Sequence, residues 1–312
     1  MIRNLIVIVT LLLVAVLPFV TSEHKADVPS GVKIVRNLSY VPESSDPLQS
    51  LDLFLPRMKY GKKSPALPAI VWIHGGGWME GSKLETPAIE LAQLGFATVS
   101  INYRLAPKNT FPAQIYDCKA AIRWLKAHAG QYGIDPERVG VWGLSAGGHL
   151  AALLATTAAS GTLEGELGNN NFSSEIAACC DWCGPTDLVN FREQCPPDAT
   201  YSTISPPDMV DQFLGVPAAE DKELAKKASP ITYVSENIPP TLIMHASEDP
   251  IVPFIQSQEF ANKLEAAGAP VTMIKINSDD HVFLSDASFK AVTDFFDEKL
   301  KAKKSPPPKN RS

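Results

Sequence analysis

The stretch Val139-Gly140-Val141-Trp142-Gly143-Leu144-Ser145-Ala146-Gly147-Gly148-His149-Leu150 decides how this chain is read. Residues 139–142 are a short run of apolar and small residues, suited to a strand buried on both faces of a sheet. Residues 146–159 are rich in Ala and Leu and repeat apolar positions at i, i+3 and i+4, as an amphipathic helix does. Between them, Gly143 and Gly147 stand two residues before and two after Ser145. That spacing permits the tight strand-to-helix turn that lifts a serine hydroxyl above a sheet. A bare G-x-S-x-G is common; the strand before it and the helix after it give this one weight. The helix N-terminus also points free N–H groups and its positive dipole end at the same place.

Outward from that turn the alternation continues. Residues 69–73, 96–101, 176–181, 241–245 and 271–276 read as further central strands, and 50–55, alternating polar and apolar, as an antiparallel strand near a sheet edge. Residues 87–94, 113–128, 256–267 and 288–301 carry helical spacing, and Gly95 and Gly268 stand where helix C-termini favour glycine. This pattern predicts an α/β fold with a mostly parallel central sheet and helices on both faces. From 190 to 235 the pattern loosens, with proline pairs at 196–197 and 206–207 and one weak helix at 208–214. An insertion of this length is read as a small lid beside the active-site mouth; the alternative is a packed excursion without a role.

The chain has 312 residues, 45% of them hydrophobic, and neither its 19 Gly nor its 26 Pro recur with a period, which excludes disordered and fibrous classes. A net charge of −6 leaves no basic field to attract nucleic acid. Arg3 precedes an apolar run at 5–20, followed by Thr21 and Ser22, so residues 1–22 read as an export signal cleaved near Ser22. The alternative is an uncleaved anchor, but the run is 16 residues long and contains Pro18, which is short for a membrane span. A secreted or periplasmic protein without stable membrane association is therefore expected. Residues 23–300 are assigned to a single domain, and 301–312, with five Lys/Arg and three consecutive prolines, to a solvated disordered tail.

Export permits disulfides, yet five cysteines leave at least one unpaired within a monomer. Cys118 and Cys179 read as buried apolar residues. Cys183 and Cys195 flank the loop carrying Gly184, Pro185 and Thr186, and a bridge between them is favoured, with Cys180 the competing partner. No paired C-x-x-C or His set suggests zinc, and neither a metal nor a cofactor is expected.

A serine hydroxyl is a weak nucleophile and needs a base oriented by an acid. Asp249 follows the strand at 241–245 and His281 the strand at 271–276, so both are expected beyond the carboxyl ends of neighbouring strands, where the sites of such sheets form. Glu248 and Asp187 are the alternative acids, Asp187 reading more as a helix N-cap. Among the other histidines, His149 lies one turn beyond Ser145 and reads as packed, His74 precedes the glycine run, His128 ends a surface helix, and His24 lies in the N-terminal arm. His245 reads as a buttress of the acid loop. The second specific signal is His74-Gly75-Gly76-Gly77-Trp78, directly after the strand at 69–73. Its glycines can aim backbone N–H groups at one oxyanion, shared with the N–H of Ala146. The run lacks the Lys-Ser/Thr of a P-loop and the G-x-G-x-x-G spacing of a dinucleotide site.

With I-H-G-G-G-W at 73–78, N-Y-R-L-A-P at 102–107, D-P-E-R-V-G-V-W-G-L-S-A-G-G-H-L at 135–150 and D-W-C-G-P-T-D-L at 181–188, the chain resembles the α/β-hydrolase superfamily and its hormone-sensitive-lipase-like esterases. The W-x-x-G after the glycines and the 181–188 stretch are similar to bifunctional acetylxylan and feruloyl carbohydrate esterases. The resemblance covers residues 51–300. It implies the α/β-hydrolase fold, Ser145 as nucleophile, Asp249 as acid, His281 as base, and an oxyanion hole drawn from Gly75, Gly76 and Gly77 with Ala146. It implies hydrolysis of short acyl esters of carbohydrates, acetyl or feruloyl, through an acyl-enzyme. Trp78 and Trp182 are candidates for the substrate wall, with core packing the alternative. Kynurenine formamidases share the glycine loop and the triad, and the export signal speaks against them. A general short-chain lipase or esterase, and a binding module on a hydrolase scaffold, are the other readings. The pattern leaves oligomeric state open.

Overall fold

One eight-stranded sheet organises the molecule. Its strands are β1 (Val32–Ser39), β2 (Ser50–Pro56), β3 (Leu67–Ile73), β4 (Ala97–Ile101), β5 (Ile134–Leu144), β6 (Ala178–Trp182), β7 (Thr241–Ala246) and β8 (Val271–Ile276), in the order β1-β2-β4-β3-β5-β6-β7-β8. The computed structural model describes residues 31–57, 65–197, 199 and 204–301; the expected export signal and the tail beyond Lys301 lie outside them. Only β2 runs against its neighbours, pairing antiparallel with β1 and β4. The expected antiparallel strand is thus present, but one place in from the edge, because β1 covers it. Among the described residues no helix is long and apolar enough to cross a membrane.

The helices are α1 (Ala88–Gln93), α2 (Ala113–Ala127), α3 (Ala129–Tyr132), α4 (Ala146–Thr157), α5 (Phe191–Gln194), α6 (Pro206–Leu214), α7 (Lys222–Lys227), α8 (Phe254–Ala266) and α9 (Asp286–Leu300). Their packing follows from the two-residue period of the strands. Val71, Ile73, Val99, Val139, Val141 and Cys179 meet α2 and α4 on one side. Ile70, Trp72, Trp142, Cys180 and Met244, offset by one residue, meet α1 and α9 on the other. Each large apolar side chain so buried contributes about 1.5–3 kcal/mol. The α/β-hydrolase fold follows from this arrangement of sheet and helices.

The same alternation overturns the expected disulfide. All five cysteines are free and buried. Cys183 and Cys180 belong to the apolar cluster on the α9 side, while Cys195 belongs to the α2 and α4 cluster, and no bridge joins them. The Cys183 thiol instead donates to the carbonyl of His281 at 3.3 Å. The described residues of the 190–235 segment hold more helix than the sequence pattern suggests. It contains α5, α6 and α7, with Ser205 capping α6 through Asp208 N–H and Asp221 capping α7 through Leu224 N–H.

Candidate active site

The carboxyl ends of β3, β5, β7 and β8 converge on one edge of the sheet, on both sides of the point where strand order reverses. β5 delivers Ser145 with a positive φ, φ 56° and ψ −119°, directly before α4. The turn closes because its glycines take no space. A Cβ on Gly143 would meet the carbonyl oxygen of Gly147 at 2.0 Å, and one on Gly147 would meet that of Ile73 at 2.1 Å. Ser145 N–H donates to Trp182 O at 2.7 Å, which fixes the strained residue from below.

β7 leads into Asp249, which is buried, whereas Glu248 beside it is exposed. Oδ1 of Asp249 accepts the amides of Ile251 and Val252 at 2.8 and 2.9 Å. Its Oδ2 lies 2.6 Å from His281 Nδ1, and His281 Nε2 lies 2.8 Å from Ser145 Oγ. Burial pushes the Asp249 carboxyl up, but hydrogen bonds from His245 and His281 and their nearby charge outweigh it and hold the group well below the usual carboxylate range. An ionised carboxylate only accepts, so His281 carries its hydrogen on Nδ1 and offers a lone pair on Nε2 to the serine hydroxyl. Asp187 is elsewhere: its carboxylate accepts the amides of Val189 and Asn190, capping a turn rather than a helix.

β3 leads into the glycine loop. A Cβ on Gly75 would lie 3.4 Å from Ser145 Cβ, so the loop passes directly over the serine. The Gly75 carbonyl accepts from His74 Nδ1 at 2.8 Å and from the Tyr103 hydroxyl at 3.2 Å, and the His74 and Tyr103 rings stack at 4.3 Å. Gly76 and Gly77 have φ of 96° and 56°, a backbone that L side chains rarely adopt. A Cβ on Gly77 would also collide with the methyl of Met209 from α6.

The two tryptophans are packed in the core. Trp182 is wholly buried, packed against Trp142 and Phe283 with ring centroids 5.0 Å away in each case. Trp78 is 3% exposed; it stacks on Phe213 at 4.4 Å and donates from Nε1 to His149 Nδ1 at 3.1 Å. His149 Nε2 in turn donates to the carbonyl of Ala228 at 2.8 Å, and burial lowers its pKa to about 4. One neutral, packed imidazole therefore joins the glycine loop, α4 and the 190–235 segment. Met209 and Phe213 lie on the apolar face of an amphipathic helix, but that pattern does not say which surface the face covers.

Among the described residues, Cys183, Asp249 and His281 form a group with metal-ligand chemistry, their donor atoms within 4.8 Å of one another. The donors are spent on each other: Asp249 on His281, and the Cys183 thiol on the His281 carbonyl. Burial also pushes that thiol well up, away from the thiolate a cation prefers.

A family model, BD-FAE, matches residues 51–264. The probable carboxylic ester hydrolase LipM of Mycobacterium tuberculosis is 30% identical over 69% of this chain and 49% of its own length. The chain spans about half the length of the curated relatives it matches. Among solved structures, a truncated carbohydrate esterase from gut microbiota superposes with a TM-score of 0.77 at 31% identity, over 86% of this chain and 97% of that one. A bifunctional GH43-CE from Bacteroides eggerthii gives 0.76 at 30% identity, over 86% and 35%.

Proposed function

This chain belongs to the BD-FAE family of α/β-hydrolases, and from that premise we propose that it is a serine carboxylesterase that removes short acyl groups, acetyl first and feruloyl second, from carbohydrates. The observation that carries the reading is the unbroken hydrogen-bonded line from Ser145 through His281 to a charged Asp249. The carbohydrate esterase neighbours support the substrate class, and Met209 packed on Gly77 supports a small acyl group.

The geometry supports the following course. His281 Nε2 takes the Ser145 proton as Oγ attacks the ester carbonyl, and Asp249 stabilises the imidazolium that forms. The Gly75 carbonyl is held by His74 and Tyr103, and in a planar trans peptide the Gly76 N–H points the opposite way; that amide and the Gly77 amide, with the amide of Ala146 in the first turn of α4, are the donors for the oxyanion. Each such donor typically contributes about 3 kcal/mol to transition-state stabilisation. His281 then protonates the leaving sugar hydroxyl, and water releases the acyl group by the same route. The apolar leader at 5–20 supports action outside the cytoplasm.

Purified protein tested on p-nitrophenyl acetate and butyrate, a feruloyl ester and acetylated xylan fragments is expected to turn over acetyl esters fastest. Ser145→Ala is expected to lower kcat by roughly 10⁴-fold or more. An unchanged rate in that variant, or no ester hydrolysis by the unaltered protein, sinks the reading. N-Formylkynurenine in the same panel separates it from a formamidase.

A further inference from the structure

We propose that His245 is a positioning residue for this reaction, a second histidine on Asp249 that aims the carboxylate and moderates its pull on His281. The inference rests on the esterase reading above.

His245 is wholly buried near the end of β7, four residues before Asp249. Its Nε2 lies 2.9 Å from the carbonyl of Val252 and 3.2 Å from Asp249 Oδ2, and its Nδ1 lies 2.7 Å from Ser257 Oγ on α8. A carbonyl only accepts, so Nε2 carries a hydrogen, and in the neutral ring Nδ1 then accepts from the Ser257 hydroxyl. The polarity of the whole line is then fixed. Ser257 donates to His245 and His245 to Asp249; from the other side Ser145 donates to His281 and His281 to Asp249.

Four N–H groups thus meet one carboxylate: two amides on Oδ1 and two imidazoles on Oδ2. An oxygen shared by two imidazole donors offers each less than it would offer one alone. The shorter bond, at 2.6 Å, belongs to His281; the longer, at 3.2 Å, to His245. Because His245 also has the Val252 carbonyl, it can yield to His281 when that ring becomes charged, with no group left unpaired. Other groups face His245 without bonding to it. The Asp181 carboxylate on β6 acts on it through space, and the Phe254 ring on α8 stands edge-on at 5.7 Å. Lys275, its register partner on β8, turns its ammonium onto Phe254 at 4.7 Å. Among the described residues, no charged donor from these elements competes with His245 for Asp249.

The test compares His245→Leu, which removes the donor, His245→Gln, which places an amide N–H near the Nε2 position, and Ser257→Ala, which leaves Nδ1 without its donor. Each is assayed for kcat and KM on p-nitrophenyl acetate from pH 5 to 9 beside the unaltered protein. His245→Leu is expected to lose about tenfold to a hundredfold in kcat, as a misaimed reacting group does, with KM within about twofold. With Oδ2 left to His281 alone, that ring holds its proton to higher pH, so the acid limb of kcat/KM moves up by about half a pH unit. His245→Gln is expected to bring the limb back and recover most of kcat. Ser257→Ala is expected to shift the limb in the same direction by less, and it decides the matter should His245→Leu not fold. Profiles that superimpose on an active unaltered protein, or equal losses in the Leu and Gln variants, overturn the proposal alone. An unaltered protein inert toward every ester overturns the esterase reading and this inference with it.

Discussion

Asp181 is wholly buried at the end of β6, and one of its oxygens has work while the other has none. Oδ1 accepts the Gly184 amide at 2.9 Å, and Oδ2 has no partner among the described residues. Burial raises its pKa to about 7, opposed by the Gly184 amide and by His245. A carboxyl with a raised folded-state pKa contributes stability that is full below its unfolded value, about 3.9, and lost as pH rises through about 7. Asp181→Asn keeps an acceptor for Gly184 and removes the titration. The variant is expected to gain on the unaltered protein between pH 4 and 8, by an amount on the order of a few kcal/mol that levels off above the upper value. Melting curves across that range check it; parallel pH dependences would remove the argument. Ser145, Asp249 and His281 are legible in the sequence because motif and strand end coincide at each. Asp181 and the cysteines are not, since what a buried side chain meets depends on which strand lies beside it. The bridge expected between Cys183 and Cys195 fails for that reason, their side chains packing into different apolar clusters.

At the scale of elements, α6 is the piece of the 190–235 segment that bears on the site. Met209 and Phe213 are one helical turn apart and share a face, Met209 over Gly77 and Phe213 over Trp78. A side chain at Gly77 would have to occupy the space that the Met209 methyl fills, so α6 roofs the loop whose amides are proposed to hold the oxyanion. Met209→Ala opens that roof. It is expected to raise the butyrate-to-acetate ratio of kcat/KM by about fivefold or more, since the two acyl groups differ by two methylenes, and to lower stability by about 2–5 kcal/mol. Kinetics on the two p-nitrophenyl esters and a melting curve check both. A ratio unchanged in a folded variant would show that the acyl chain lies elsewhere. The helix itself is readable at 208–214 and is observed as Pro206–Leu214, while β1 and α7 escape. β1 escapes because a register shift between Val35 and Leu38 breaks its alternation, and α7 because six residues are under two turns.

Across the whole molecule, the sheet edge is tied to the site by a buried charge cluster centred on Asp52 of β2. Asp52 is 1% exposed; it accepts Arg36 Nη1 at 2.9 Å and the Asn37 amide at 2.8 Å, both from β1, and pairs with Lys83, which follows the glycine loop. Lys83 is itself 5% exposed, donates to Asn37 Oδ1 at 2.6 Å, and is clamped through its backbone by Asn102 and Ser100 beside β4. β1, invisible as a strand in the sequence, therefore reaches the segment after the glycine loop through two ions. Removing one partner leaves the other charge buried, which costs far more than the pair contributes. Asp52→Leu is expected to lose about 3–5 kcal/mol, while Asp52→Leu combined with Lys83→Met recovers most of it, since apolar replacements of similar volume carry no unpaired charge. Chemical denaturation followed by circular dichroism measures both. Gly75, Ser145, Asp249 and His281 follow the ends of strands of the one sheet, so ester hydrolysis should fade at the same denaturant concentration as the fold in every variant. A double variant no more stable than the single would mean that Asp52 acts through β1 alone. Activity lost well before the circular dichroism signal would mean that the glycine loop opens as a separate unit, with the Asp52–Lys83 pair as its latch.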